Sequence, residues 1–386
     1  MEKVQINKNN QITNDVSNCI HKAVHGVSFQ TNQKKTTKSS KNNRLLTNKA
    51  ESLKKIHILL FYKFQKIKNP EYFARKYKRA CKKLGICGKV LIAKEGVNGS
   101  ISGTKEQVEK YKEFLLSQNG FEDVKFKEET AFKHPFTKMN VRVRKEIISL
   151  KKKININKKG KYLAPKEFLE LYNKDDINCK DNKNLKKEDK NKESVIILDA
   201  RNYYEYDLGR FKNAINPNIK TFREFPLFIE KFKKNFSEKE IKNKKIVMYC
   251  TGGIRCEKAS AYMKEQGFEN VYQLEDGIIN FCQQFPNTVW EGKCFVFDKR
   301  LMTNINQNNK PISKCINCNE FCDLYRNCKN LKCDKLVIMC VKCQEKLQGC
   351  CSKECLGEFL NYARKRAVLK KAGEWKIKEK LQSYVK

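Results

Sequence analysis

The sequence predicts a multidomain α/β chain, and three observations carry that prediction. Strand-like and helix-like segments alternate from about residue 54 to about residue 300, an apolar run ends on a cysteine followed by a glycine pair at 250–253, and ten cysteines crowd into positions 315–355. At 386 residues, 40% of them hydrophobic, the chain is long enough for two to three domains with cores of their own. No stretch of about eighteen apolar residues occurs, so no membrane partner is expected.

Residues 1–52 are rich in Asn, Lys, Thr and Ser without sustained periodicity and read as a disordered extension. They lack the apolar centre of a secretory signal. An organelle transit peptide is the alternative, since the stretch is short of acidic residues, but it has no arginine before Arg44. The expected location is the cytoplasm, with an organelle as the alternative. Eighteen cysteines in such a chain point to reduced thiols used in chemistry or metal binding. A formal net charge of +39 makes nucleic acid the first partner to consider; only 13 of the cations are arginines, and a basic face on a folded domain is stronger evidence than a total.

Order begins near Lys54. His57–Phe64 reads as a strand, Pro70–Leu84 gathers Phe73, Tyr77, Ala80 and Leu84 on one helix face, and the strands Lys89–Ala93 and Gly99–Gly103 flank an Asn98-Gly99 hairpin signal. Lys105–Leu116 is a second helix and Asp123–Phe132 a further strand. The order βαββαβ gives a ferredoxin-like (acylphosphatase-like) α+β domain over 53–150. A basic segment with Lys138, Arg142, Arg144 and Lys145 closes it. In an alternating strand Arg142 and Arg144 share a face, which reads either as a contact surface for RNA phosphates, with Phe136 as a stacking platform, or as a solvated strand face.

A second α/β domain spans 155–300 and carries a charged, asparagine-rich, low-complexity insertion at 174–193. Val195–Leu198 is a buried strand ending in Asp199-Ala-Arg201. The helix Phe225–Phe236, the central strand Ile246–Tyr249, a helical pattern from Glu257, the strand Val271–Leu274 and the helix Ile278–Phe285 follow. Such alternation gives a parallel sheet with its sites at the C-terminal strand ends, where Cys250 and Asp199 lie. After Cys250, the backbone of Thr251, Gly252, Gly253 and Ile254 is free to curl its N–H groups inward as an anion-binding nest, and Arg255 adds a guanidinium. A thiol in that place is expected to ionise readily.

Leu198-Asp-Ala-Arg-Asn202, with Tyr204-Glu205, Gly209 and Ala214, then Tyr249-Cys250-x-x-Gly253-x-Arg255, Gly267-Phe268 and Glu275-Asp-Gly277, resembles a rhodanese domain, in which the cysteine matching Cys250 carries a persulfide. Phosphatase relatives of that fold have five residues between cysteine and arginine; the four present here form a tighter ring suited to a sulfur-sized anion. Cys256 stands where a generic rhodanese loop usually has serine. With Ala93-Lys-Glu-Gly-Val-Asn-Gly-Ser100, Val141-Arg-Val-Arg-Lys-Glu-Ile147 and Lys293-Cys-Phe-Val-Phe-Asp-Lys-Arg300, the chain resembles the tRNA wobble-uridine hydroxylases over about residues 55–356. That resemblance implies conversion of the wobble uridine to 5-hydroxyuridine, molecular oxygen as co-substrate, and tRNA bound at its anticodon loop as the partner, with no role for DNA.

The candidate catalytic residues are Cys250, Arg255, Cys256, Asp199 and Arg201. Cys256 reads either as a second redox thiol that resolves a sulfenate or persulfide on Cys250, or as a small buried hydrophobe. A sulfurtransferase carrying a persulfide on Cys250 is the alternative activity. No flavin, nicotinamide or iron-ligand fingerprint is visible, so the sequence leaves the activation of oxygen unexplained.

Cys315-x-x-Cys318 and Cys340-x-x-Cys343, separated by 21 residues, have the spacing of a zinc–thiolate site. Cys328, Cys333, Cys350 or Cys351, and Cys355 supply a second set. The module over 311–357 has little apolar material, and a bound metal supplies folding energy that it lacks. Zinc in a structural or RNA-docking role is the expectation, against an iron–sulfur cluster, disulfides or free thiols. A basic helical tail over 358–386, with Arg364, Lys365, Arg366, Lys370 and Lys371, reads as lying along RNA phosphates or as solvated.

Overall fold

A computed structural model describes residues 55–174, 195–306 and 310–371. The expected extension over 1–52, the insertion beyond its first residue, and the tail beyond 371 lie outside the described residues.

The first domain follows the expected order: β1 (Ile56–Phe64), α1 (Pro70–Lys83), β2 (Cys87–Ala93), β3 (Gly96–Gly103), α2 (Lys105–Leu116) and β4 (Phe126–Ala131). Helix α1 starts where the Asn69 side chain accepts the Tyr72 N–H and Pro70 presets the first turn; α2 starts on a capping box between Thr104 and Gln107. A fifth strand, β5 (Met139–Val143), runs parallel to β2 and extends the sheet to the order β4-β1-β3-β2-β5. Strand β4 begins three residues later than expected, because Phe121 and Val124 are drawn in tight turns into the core under the helices. Leu59, Phe61, Val90, Ile92, Val97 and Ile101 face α1 and α2 and pack on Tyr77, Val108, Tyr111 and Leu115. By alternation Ile58, Leu60 and Tyr62 face the other side, which no helix of this domain covers.

The second domain contains β6 (Lys161–Leu163), α3 (Pro165–Lys174), β7 (Ile196–Asp199), α4 (Tyr203–Leu208), β8 (Gly209–Phe211), α5 (Phe225–Lys233), α6 (Glu238–Asn243), β9 (Ile246–Tyr249), α7 (Ile254–Glu265), β10 (Val271–Leu274) and α8 (Gly277–Gln284). Its sheet has the order β6-β10-β9-β7 with every pair parallel. The continuous apolar run of β9 reflects burial on both faces: Ile246 and Met248 pack with Phe225, Ile229, Met263 and Phe268, while Val247 and Tyr249 pack with Phe211, Phe281 and Trp290. Two boundaries differ from expectation. The helix from Phe225 ends at Lys233, and a separate helix, α6, is nucleated by the Ser237–Glu240 capping box. Helix α7 begins at Ile254, three residues before Glu257, because Gly253 at φ 96° turns the chain into it; Arg255 and Cys256 therefore occupy its first turn.

The remainder comprises β11 (Trp290–Gly292), paired with β8, the hairpin β12 (Cys294–Phe295) and β13 (Met302–Thr303), the cysteine-rich hairpin β14 (Tyr325–Asn327) and β15 (Leu336–Ile338), then α9 (Val341–Lys346) and α10 (Lys353–Lys371). The cysteine-rich module docks on α4: Tyr325 Oη donates to the Tyr204 carbonyl at 2.6 Å, and Ser313 Oγ donates to the Asp207 carbonyl.

The helix-free face of the first sheet sits over the C-terminal strand ends of the second domain. Lys127 meets Asp276 at 2.7 Å, Tyr62 Oη donates to Glu257 at 3.0 Å, and Arg300 meets Glu129 at 2.9 Å. The buried Lys258 of α7 reaches across to Glu95 at 2.8 Å and to Glu146 at 2.7 Å. Removing one partner from such a cluster leaves the others uncompensated. Lys258→Met is expected to lower stability by about 2–4 kcal/mol in urea denaturation, the lower part of the range applying because Glu95 and Glu146 retain some solvent. Adding Glu95→Gln and Glu146→Gln should recover part of that loss. An unchanged midpoint in the single variant would show that the cluster does not hold the domains together.

Candidate active site

The loop between β9 and α7 wraps around the Cys250 sulfur. Sγ accepts the Gly253 N–H at 3.2 Å and lies against the first turn of α7, where the backbone amides at Arg255 and Cys256 and the Cys256 thiol favour its charged form. Burial pushes the Cys250 thiol up. The Cys256 hydrogen bond, the Arg255 charge and the backbone donors outweigh burial and hold it down at about 6. Cys256 is pushed well above its ordinary value, first by burial and then by donating to Cys250, so it is the protonated member of the pair. It is fully buried and does not line the cavity above Cys250.

Arg255 is fixed by a carboxylate that sequence reasoning placed only within a motif. Glu205, fully buried in α4, takes the guanidinium in two bonds of 2.5 and 2.8 Å and accepts the Asn202 N–H at 3.1 Å. Beside that motif, its sequence signal is the spacing to Asn202, which makes it the third residue of a capping box. The Thr251 hydroxyl accepts from Arg255 at 3.3 Å. Asp276 and Gly277 close the loop from behind: Ile278 N–H donates to the Cys250 carbonyl at 3.0 Å, Gly277 has φ 72°, and a Cβ there would stand 2.4 Å from that carbonyl.

Asp199 and Arg201, expected among the catalytic residues, pair with each other. The Arg201 side chain folds back on Asp199, with Nε at 2.9 Å and Nη2 at 2.6 Å from its carboxylate, and Nη2 also donates to the Gly209 carbonyl. The guanidinium is fully buried against Trp290 and Tyr249. Neither residue lines the cavity, and the pair ties β7 to β8.

A cavity of about 430 Å³ lies between the loop and the first sheet. Its floor is Cys250, Thr251, Gly252, Ile254 and Arg255; its roof includes Leu60, Tyr62 and Lys127, and its sides include Phe136 and Phe297. Tyr62 stands so close to Gly253 that a Cβ there would lie 2.9 Å from its hydroxyl. Lys138, Arg142, Arg144 and Lys145 are all exposed along and beside the edge strand β5. Only Arg144 of these four lines the cavity; Arg142 Nε donates to Asn140 at 3.1 Å.

The cysteine-rich module brings together Cys315, Cys318, Cys340 and Cys343, and separately Cys328, Cys333, Cys351 and Cys355, with the sulfurs of each set within 4.8 Å of one another. Cys351, not its fully buried neighbour Cys350, completes the second set. The Cys318–Cys340, Cys333–Cys351 and Cys351–Cys355 separations of 3.5, 3.7 and 3.5 Å approach the edge of about 3.8 Å that a tetrahedron with metal–sulfur bonds of about 2.3 Å requires. Backbone N–H groups of Cys340 and Cys351 donate to Cys315 and Cys328, as backbone donors around metal-bound thiolates do. Both sets therefore fit a four-sulfur metal site.

The thiol geometry has a direct readout. Peptide-resolved alkylation of Cys250 by a small haloacetamide should rise with pH and reach half its plateau near pH 6, since ionisation follows the lowered pKa. Cys256→Ala removes a donor to the thiolate and should move the midpoint upward. A Cys250 midpoint near pH 8.5, the ordinary thiol range, would contradict the description of the loop.

Three family models match the chain: the UPF0176 acylphosphatase-like domain over residues 56–147, the rhodanese-like domain over 181–284 and the rhodanese C-terminal domain over 291–356. A tRNA uridine(34) hydroxylase of Bacillus licheniformis is 40% identical over 304 residues, covering 77% of this chain and 87% of that protein. Proteins of the same name from Bacillus cytotoxicus and Cytophaga hutchinsonii are each 40% identical, covering 78% of this chain and 88% and 90% of theirs. At that identity and coverage, with the cysteine loop and both flanking domains in place, the chain belongs to the tRNA uridine(34) hydroxylase family.

Proposed function

We propose that the protein hydroxylates the wobble uridine of tRNA to 5-hydroxyuridine with molecular oxygen as co-substrate, and that Cys250 is the reacting group of the enzyme. The observation that carries this reading is a buried thiol, its pKa held down at about 6, on the floor of a cavity large enough for a nucleobase and roofed by a second, basic domain. A small sulfur donor would need neither the roof nor the cysteine-rich module. The uridine leaves the anticodon loop and enters the cavity, where Phe136 and Phe297 offer aromatic walls. Addition of the Cys250 sulfur to C6 of the pyrimidine, which breaks the C5–C6 double bond and makes C5 electron-rich, is the role its low pKa suits. C5 then takes one oxygen atom of O2, an external two-electron donor with two protons carries the other atom to water, and loss of the C5 proton expels the Cys250 thiolate and restores the double bond. Glu205 holds Arg255, Asp199 and Arg201 brace the strand ends, and Cys256 keeps Cys250 ionised. Lys138, Arg142, Arg144 and Lys145 contact phosphates of the anticodon arm. The two four-cysteine sets hold zinc, whose role is structural because four thiolates leave no open position. The compartment that goes with this reading is the cytoplasm.

In a strain lacking 5-hydroxyuridine, the protein should restore that nucleoside in tRNA and Cys250→Ser should not. A Cys250→Ser protein that restores it sinks the central role of the thiol, and appearance of a thiolated nucleoside instead favours the sulfurtransferase. Titration with an organomercurial should release two zinc ions per chain, one for each set. Cys318→Ser should release one. Iron with acid-labile sulfide in their place would overturn the zinc assignment.

A further inference from the structure

Charged side chains lining the cavity fall into two groups. Its carboxylates, Glu129, Glu146 and Asp298, are each engaged: Arg300 holds Glu129 at 2.9 Å and Asp298 at 2.7 Å, and Lys258 holds Glu146 at 2.7 Å. Among its cations, Lys127 is matched by Asp276, Arg255 by Glu205 and Arg300 by its two acids. Three cations remain: Lys89, Arg144 and Arg223, all exposed and without an ion pair among the described residues.

The three come from both domains. Lys89 lies on β2, and Arg144 directly follows the neighbouring strand β5, its N–H still bonded to Ile92 of β2 at 2.8 Å. Arg223 is on the facing domain, in a short 3-10 turn (Phe222–Glu224) anchored by the buried Phe222. Three like charges with no counter-charge repel one another and attract a polyanion. Two are guanidinium groups in a chain with only 13 arginines among 82 lysines and arginines, and the guanidinium fork matches phosphate oxygens in pairs as an ammonium does not. Drawing a base out of a loop also requires its backbone to be held where it leaves the stack.

We propose that Arg144 and Arg223, assisted by Lys89, form a phosphodiester clamp across the cavity mouth, gripping from the two domains the RNA backbone on either side of the nucleotide whose base enters. This rests on the tRNA reading above. It adds a site shared between the domains, so that their relative seating sets which nucleotide is presented to Cys250.

The test uses the full chain. Binding of a fluorescently labelled anticodon stem-loop RNA is measured by anisotropy across a salt series, alongside hydroxylation kinetics with whole tRNA. Arg144→Gln with Arg223→Gln should raise both Kd and KM about tenfold or more, leave kcat within about twofold, and lessen the slope of log K against log salt by about 1.5. Arg144→Lys with Arg223→Lys should restore the slope but only part of the affinity. Arg75→Gln with Arg79→Gln, on the exposed face of α1, should change neither. Equal losses in that control pair, or no loss in the Arg144 and Arg223 pair, would overturn the clamp in favour of diffuse attraction. A wild type that shows this binding pattern but forms no 5-hydroxyuridine removes the proposed reaction and leaves the clamp; a wild type indifferent to RNA removes the clamp.

Discussion

The site is built around donors that favour the ionised form of a fully buried sulfur. Burial alone drives a thiol toward its neutral form, so every donor around Cys250 works against a desolvation penalty. The donors are available because Gly253 adopts φ 96° and lets α7 begin immediately afterwards, turning successive N–H groups inward. Gly277 lets the next loop approach the Cys250 carbonyl from behind. Arg255 is itself paired with Glu205, so its charge is partly spent, and the Cys256 thiol and the backbone donors supply what it no longer can.

The domains on either side extend that arrangement. The first sheet leaves one face without helices and places it over the loop, so that Tyr62 and Lys127 form a roof while Lys258 ties α7 to Glu95 and Glu146. Those two acids belong to the segments that most closely mark the family in sequence, which gives the motifs a physical meaning: they dock one domain on the other. The cysteine-rich module meets α4, the helix that carries Glu205, through Tyr325 and Ser313. The module packs on that helix, and through Glu205 the contact extends to Arg255.

Features with short-range causes were legible in the sequence. The βαββ order, the apolar run of β9, the glycine pair after Cys250 and the two Cys-x-x-Cys knuckles each have a local signature. Features that depend on how segments meet were not. The parallel pairing of β5 with β2 joins distant stretches. Glu205 looks like any acidic residue in a first helical turn until Arg255 arrives opposite it. Spacing does not choose between the adjacent Cys350 and Cys351. Asp199 and Arg201 stand at a strand end, where sites usually lie, and that rule does not reveal that Arg201 turns back on Asp199 and Gly209. The clamp residue Arg223 carries no motif at all.

In the proposed reaction a single buried thiolate, beneath a roof supplied by a second domain, directs oxygen to a tRNA uridine. The most direct measurement is mass spectrometry of the nucleosides formed when the purified protein acts on unmodified tRNA under isotopically heavy molecular oxygen. The native protein should form 5-hydroxyuridine carrying one heavy oxygen atom, and the Cys250→Ser protein should form none. Unlabelled 5-hydroxyuridine, or a thiolated nucleoside in its place, would contradict it.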